Sequence, residues 1–130
     1  MECPACGASA IAFEIPVEFE EYTPADAPAA GLCTLCLRLS PIDDPSGINA
    51  PEFTRLSQAF PTGSEGIAMA LLVGLLDSLA TYHDEIEALV ETLERAGTDP
   101  LLVLDRLDRE PGLEPEVSLD RRRHQLQQVL

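Results

Sequence analysis

Residues 1–10 read MECPACGASA and residues 31–40 read GLCTLCLRLS, and these two stretches contain all four cysteines of the 130-residue chain. Each stretch holds one Cys-x-x-Cys pair, Cys3 with Cys6 and Cys33 with Cys36. Two intervening residues allow both thiolates of a pair to reach one cation from a tight turn, and four thiolates complete a tetrahedral zinc shell. The sequence therefore predicts one structural zinc ion per chain, bound by these four cysteines.

Iron is the alternative metal for the same four ligands. Rubredoxins also bind iron through two Cys-x-x-Cys pairs at a similar separation, and they place aromatic residues around the iron. Only Phe13, Phe19 and Tyr22 are near these cysteines in the sequence. A thiol–disulfide role is less favoured, because that chemistry is typical of a Cys-x-x-Cys at a helix N-terminus within a βαβ unit. Zinc is the preferred interpretation, and an iron electron carrier is the alternative.

The composition is strongly acidic, with 23 Asp and Glu against eight basic residues and a net charge of −15. All eight basic residues are Arg, and Lys is absent. Such a surface is typical of proteins adapted to molar salt, where a Debye length of about 3 Å screens the self-repulsion. A nucleic-acid mimic is the less favoured explanation of the charge.

The first cysteine pair resembles a known type of zinc-binding turn. Cys3-Pro4-Ala5-Cys6-Gly7 matches the CPxCG pattern of zinc ribbons and of small CPxCG-type proteins from haloarchaea. The chain as a whole resembles a haloarchaeal family of small acidic zinc-ribbon proteins of unknown function. The second pair, CTLCL, lacks both the Pro and the Gly of the pattern. The resemblance implies a zinc-binding fold and little about activity.

The chain divides at a segment rich in turn-forming residues. Residues 9–22 alternate apolar and polar side chains, which predicts a strand, and residues 23–31 are expected to form a loop. A short strand is expected at residues 37–40, before a Pro- and Gly-rich stretch. We therefore predict an α+β protein, with a zinc-ribbon-like β module at residues 1–42, a linker at 43–51 and a helical module at 52–130.

The helical module is predicted to contain one long heptad-patterned helix. After a short helix at residues 52–59, a helix over residues 64–96 would be about 50 Å long. A break near residues 81–84 is the alternative. Two further helices are expected, one at 101–110 capped by Asp99, and one from Ser118 to Leu130. Apolar residues recur in the long helix with heptad spacing at Leu72, Leu75, Leu79, Tyr82, Ile86, Leu89 and Leu93.

These features predict a protein that works by binding another macromolecule. The Leu72–Leu93 stretch can form a homodimer or pack on the later helices, and a protein partner is expected. Arg121, Arg122 and Arg123 form the one concentrated basic patch. Pairing with the nearby acids Glu114, Glu116 and Asp120 is favoured over binding of nucleic acid. His83 and His124 are too few for a histidine-based site. The sequence also offers no nucleophile–base–orienter set and no phosphate-binding glycine loop, so no enzymatic activity is expected. The chain start has neither a basic segment nor a long apolar run, which predicts a cytoplasmic protein without membrane contact.

Overall fold

The computed structural model describes residues 1–129, and Leu130, which the last helix was expected to bury, lies outside the described residues. A small antiparallel sheet comes first in the chain, and helices follow it, which confirms the α+β class. The strands are β1 (Ala10–Glu14), β2 (Ala29–Cys33) and β3 (Leu39–Ile42), and the α-helices are α1 (Gly63–Leu75), α2 (His83–Arg95), α3 (Pro100–Asp108) and α4 (Leu119–Val129).

The sheet has the order β1-β2-β3, with β2 in the centre. β2 begins at Ala29, inside the stretch 23–31 that was expected to be a loop, so that expectation is wrong for residues 29–31. Its sequence, AAGLC, has no β-branched or aromatic residue and no alternation, because all five positions are buried. A Cβ at Gly31 would lie 2.3 Å from the sulfur of Met1, so the flexible Met1 side chain would have to move to admit one.

The first strand is also shorter than the alternation indicated. β1 ends at Glu14, and residues Val17–Tyr22 form a 3-10 helix. Pro16 explains the change, because it has no N–H to donate to a strand and its φ of −63° suits the start of a helical turn.

Two helices replace the long helix over residues 64–96, so that prediction was wrong. The alternative, a break near residues 81–84, was right that the helix is interrupted, but the interruption covers residues 76–82 and begins earlier. α1 ends at Leu75, Leu76–Ser78 forms a 3-10 turn, and α2 begins at His83. The two helices then pack against each other. Folding back stabilises the heptad side chains by burying them in one chain: Leu72, Leu79, Ile86 and Leu93 are each 8% exposed or less.

The buried heptad positions bear on the dimer predicted from them. Of the seven heptad residues, only Tyr82 is classed as exposed. The single chain therefore already covers most of the apolar stripe that a partner copy would contact, and the oligomeric state stays a prediction.

Two of the helices, α3 and α4, begin at capping residues that the sequence contains. The carboxylate of Asp99 accepts hydrogen bonds from the N–H groups of Leu101 and Leu102, at 3.1 and 3.3 Å. The hydroxyl of Ser118 accepts from the N–H of Arg121 at 3.3 Å. These two predicted N-caps are confirmed.

The helix predicted at residues 52–59 is wrong, because only Phe53–Arg55 form a 3-10 turn. Phe53 is fully buried, with its ring centroid 5.5 Å from that of Phe13 on β1 and 5.2 Å from that of Phe60. Such aromatic pairs contribute about 0.5–1.5 kcal/mol beyond their buried area. The chain therefore bends to insert Phe53 between its two partners.

The sheet and the helices share one core. Leu39 of β3 packs so closely on Gly74 of α1 that a Cβ at Gly74 would lie 2.6 Å from the Cβ of Leu39. Buried side chains from both parts of the chain form a single cluster. The division at residues 43–51 stays a prediction about folding units. Among residues 1–129, the helices are all too short or too polar to cross a membrane.

Candidate metal centre

Two turns of the same design present the four cysteines. We call residues 3–6 the first knuckle and residues 33–36 the second knuckle. The N–H of Cys3 donates to the carbonyl of Ala8 at 2.7 Å, and the N–H of Cys33 donates to the carbonyl of Arg38 at 3.0 Å. In both, the first cysteine bonds to the residue five positions later. Two unlike sequences, CPACGA and CTLCLR, therefore form the same backbone turn.

Strand pairing places the two knuckles side by side. Ala10 of β1 pairs with Cys33 of β2, so each knuckle extends from the same end of the sheet. Beyond this pair, Thr34 donates to the carbonyl of Ser9 through its N–H at 3.0 Å and through its hydroxyl at 2.8 Å. The short strands thus fix the distance between two cysteine pairs that lie about thirty residues apart in sequence.

The four sulfur atoms all lie within 4.8 Å of one another. Cys3 Sγ lies 3.7 Å from Cys36 Sγ, and Cys6 Sγ lies 3.4 Å from Cys33 Sγ. A regular tetrahedron with zinc–sulfur bonds of about 2.3 Å has sulfur–sulfur edges of about 3.8 Å. The four cysteines named from the sequence are therefore brought together, in a cluster that fits a single tetrahedral cation.

Backbone N–H groups point at the sulfurs and favour negative charge there. Cys33 Sγ accepts from the N–H groups of Leu35 at 3.3 Å and Cys36 at 3.4 Å. Burial opposes ionisation of Cys3, but N–H donors from Cys6 and Ala5 outweigh it and lower the pKa of Cys3 to about 7. These donors stabilise thiolates, the form that binds a metal.

Burial acts in the opposite direction on Cys36. Burial and, to a smaller extent, the neighbouring cysteine sulfurs together raise the pKa of the Cys36 thiol to about 12, against the opposing effect of the N–H of Arg38. Without a cation, the cluster therefore does not hold four thiolates near neutral pH. A bound divalent cation supplies the positive charge that all four need, and the residues present fit such an ion.

The residue after each knuckle has a left-handed backbone. Gly7 has a φ of +80°, and Leu37 has a φ of +61°. Glycine adopts this region freely, whereas a residue with a Cβ loses roughly 1–2 kcal/mol there. Leu37 is 5% exposed and belongs to the main core. The departure of the second knuckle from the CPxCG pattern therefore leaves its geometry unchanged, because core packing holds Leu37 in place.

Residues 113–117, which we call the covering segment, lie against the second knuckle. The N–H of Glu114 donates to the carbonyl of Leu35 at 2.7 Å, and the N–H of Glu116 donates to the carbonyl of Cys36 at 3.4 Å. The carboxylate of Glu116 also pairs with Arg38 at 2.6 Å, which raises the pKa of Arg38. Sequence reasoning missed this contact, since a PGLEPEV loop about eighty residues away carries no signal for its partner.

The four cysteines differ in their access to solvent. Cys3, Cys33 and Cys36 are buried, with exposed fractions of 3, 0 and 7%, and they form a small cluster with Ala8 and Leu35. Cys6 is exposed. The aromatic residues near the cysteines in sequence, Phe13, Phe19 and Tyr22, belong to the main core or pack against it.

The basic patch is partly paired with local groups, as its sequence surroundings indicated. Arg123 bonds to Asp120 at 3.0 Å, and Arg122 donates to Gln125 at 2.9 Å. Glu116, one of the expected partners, pairs with Arg38 instead. His83 is partly exposed and lies 3.4 Å from Asp84.

The comparisons with known proteins identify a family but no activity. A protein-family model described as "Family of unknown function (DUF6276)" matches residues 2–130. Searches of the curated proteins and of the solved structures found no significant match.

Proposed function

The chain belongs to the DUF6276 family, and we propose that it is a non-enzymatic zinc-binding protein in which a zinc ribbon organises a surface for another macromolecule. The observation that carries the proposal is the set of four sulfurs within 4.8 Å of one another. Their 3.4 and 3.7 Å separations match the edges of a tetrathiolate shell. Such a shell leaves no open position for a substrate, which favours a structural role over a catalytic one.

The metal would act by holding the two knuckles together. β1 and β2, which carry the two knuckles, have five residues each and β3 has four, so the strands that connect the knuckles are short. Zinc sites of this kind supply roughly 10–16 kcal/mol of apparent binding free energy, which becomes folding free energy. Cys3, Cys6, Cys33 and Cys36 would each provide one thiolate.

Zinc is proposed rather than iron because the cysteine cluster lacks aromatic packing. The residues that pack on the buried cysteines are Ala8 and Leu35. One observation favours iron: the exposed Cys6 brings a ligand to the surface, where an electron could enter. A rubredoxin-like electron carrier is therefore the second candidate.

The proposed partner is a protein, and the proposed site of binding is a cytoplasm with a high salt concentration. The net charge of −15 without lysine supports that setting. Nucleic acid is the weaker candidate, with Arg121, Arg122 and Arg123 as the contact. If it binds there, replacing the three arginines together abolishes a salt-dependent shift of DNA or RNA. A homodimer through the Leu72–Leu93 region remains part of the proposal.

The test is elemental analysis with an absorption spectrum, on full-length protein purified in molar KCl under reducing conditions. We expect one zinc per chain and no visible absorption. Iron with visible thiolate-to-metal bands would make the protein an electron carrier, and protein that is folded yet metal-free under these conditions would refute the metal proposal. The Cys33→Ser variant is the control, because it removes the most buried sulfur.

A further inference from the structure

We propose that Cys6 is a modification site for peroxides, and that its oxidation ends in a disulfide with Cys33 across the two knuckles. This inference goes beyond the proposed structural role, because it concerns a reaction of two of the same four cysteines. It follows from the exposure of residue Cys6 and from the 3.4 Å separation between its sulfur and that of the buried Cys33.

Access to solvent singles out Cys6 among the ligands. Cys6 is exposed, whereas the other three cysteines are at most 7% exposed. A peroxide must reach the sulfur in line with its oxygen–oxygen bond, so accessible thiolates react first. The first knuckle also has the less enclosed surroundings, because a Cβ added to Gly7 would meet no atom within 4 Å.

The second sulfur is already placed for the following step. Cys33 Sγ lies 3.4 Å from Cys6 Sγ, and a disulfide needs about 2.05 Å, so the sulfurs must approach by roughly 1.4 Å. Cys33 Sγ accepts hydrogen bonds from the N–H groups of Leu35 and Cys36, which hold this sulfur in position. Cys33 is fully buried, so peroxide does not reach it directly.

The chemistry balances with one peroxide for each disulfide. The Cys6 thiolate attacks one peroxide oxygen, the sulfur–oxygen bond forms, and the oxygen–oxygen bond breaks. With hydrogen peroxide, the departing hydroxide takes a proton and becomes water. The Cys33 thiolate then attacks the Cys6 sulfur, and the sulfur–oxygen bond breaks to release a second hydroxide, which is protonated. Two thiolates, one hydrogen peroxide and two protons therefore give one disulfide and two waters.

Different contacts hold the two knuckles in place, and this difference favours reversible formation of the disulfide. The covering segment bonds to the second knuckle at Leu35 and Cys36. The first knuckle is held mainly by its own hairpin, with Cys3 bonded to Ala8, and by Ser9. Cys6 can therefore move towards a stationary Cys33, and a thiol reductant that cleaves the disulfide restores four thiolates around an unchanged second knuckle.

The test uses metal-loaded full-length protein treated with one equivalent of hydrogen peroxide, followed by alkylation of the remaining thiols. Arg38 is the first basic residue, so trypsin leaves all four cysteines in one peptide. Cleavage after glutamate separates them, since residues 3–14 contain the first pair and residues 22–52 the second. A disulfide across the knuckles then joins these two peptides in the mass spectrum, and fragmentation identifies the cysteines.

We expect the cross-linked peptide pair to contain Cys6 and Cys33, with Cys3 and Cys36 alkylated. In untreated protein, iodoacetamide should label Cys6 at least roughly tenfold faster than the buried cysteines. A disulfide within one knuckle, or equal labelling of all four cysteines, would overturn the proposal. In the Cys6→Ser variant, no disulfide across the knuckles should form. The labelling order is read in wild-type protein, so it stays informative if this variant does not fold.

The measurement separates this inference from the proposed function. Metal content of the untreated protein tests the zinc proposal, and the disulfide map tests the roles of Cys6 and Cys33. Zinc-containing protein whose disulfide lies elsewhere would refute only the modification site. Metal-free protein that still forms the Cys6–Cys33 bond would refute only the zinc site.

Discussion

The two knuckles reach one geometry by different routes. In the first, Pro4 and Gly7 suit a tight turn by their own backbone preferences, and the turn lies near the chain start with an exposed cysteine. In the second, Leu37 occupies the left-handed region, where side chains are disfavoured, and the covering segment holds the turn from outside. A metal-binding turn can therefore be determined by its own residues or by the packing around it.

The largest expected effect comes from removing a metal ligand from the second knuckle. Cys33→Ser should weaken metal binding by more than roughly 100-fold, above what loss of an outer-shell partner typically costs. The buried hydroxyl also cannot replace the thiolate that two N–H groups stabilise. Cys6→Ser should weaken binding less, because water reaches that position. Metal titration of both variants in a competing chelator measures the difference, and equal losses would contradict the asymmetry.

The next largest effect is expected at Leu37. Leu37→Ala removes a buried side chain but keeps a Cβ in the left-handed region, and we expect a loss of about 2–4 kcal/mol in the free energy of unfolding. Leu37→Gly removes the same side chain and the backbone strain, so it should be more stable than the alanine variant by roughly 1 kcal/mol.

The informative result is which of these two variants has the larger free energy of unfolding. In an ordinary strand or helix, glycine is the less stable of the two by about 0.5–1 kcal/mol. Urea unfolding of both variants with metal bound measures the order. If Leu37→Gly is the less stable, core packing alone holds the second knuckle and its left-handed backbone costs nothing.

The sequence predicts the first knuckle better than the second, for the same physical reason. Local signals, such as the spacing of Cys3 and Cys6 and the caps Asp99 and Ser118, lead directly to the observed turns and helix starts. Features decided by tertiary contacts escaped prediction. β2 has no alternating strand pattern because it is buried on both faces. The heptad spacing of apolar residues within residues 64–96 reflects their burial in one core, and not a continuous helix.

A substitution in the covering segment is expected to have a smaller effect on stability. It tests whether the second knuckle depends on residues that are distant in the sequence. Glu114→Pro removes the N–H that donates to the carbonyl of Leu35 at 2.7 Å, and we expect a loss of about 1–3 kcal/mol in the free energy of unfolding. Glu114→Ala keeps this N–H and is the matched control, with little expected change. Hydrogen exchange at residues 33–38 should rise in the proline variant only, and equal exchange in both would remove the segment's supporting role.

Gly7 provides the corresponding test of the first knuckle. Gly7→Ala places a Cβ at a φ of +80°, in open space, so the cost is backbone strain alone, about 1 kcal/mol. Gly112→Ala is a useful control, because it also meets no atom within 4 Å and its φ is not in the left-handed region. Thermal unfolding with metal bound compares the two. A stability loss at Gly112 as large as that at Gly7 would show that the left-handed turn is not the cause.

The smallest expected effect on stability comes from removing the ion pair between Arg38 and Glu116. Comparing the melting temperature at low and at high salt measures what this ion pair contributes. Both side chains are about half exposed, at 49 and 47%, so water and ions weaken their attraction. Glu116→Gln keeps the backbone N–H that donates to Cys36 and removes only the charge. We expect a small decrease in melting temperature at low salt and none in 1 M KCl, where the Debye length is about 3 Å. A decrease that persists in molar salt would mean that Glu116 positions Arg38 through hydrogen-bond geometry, and that the second knuckle is held by more than backbone bonds and packing.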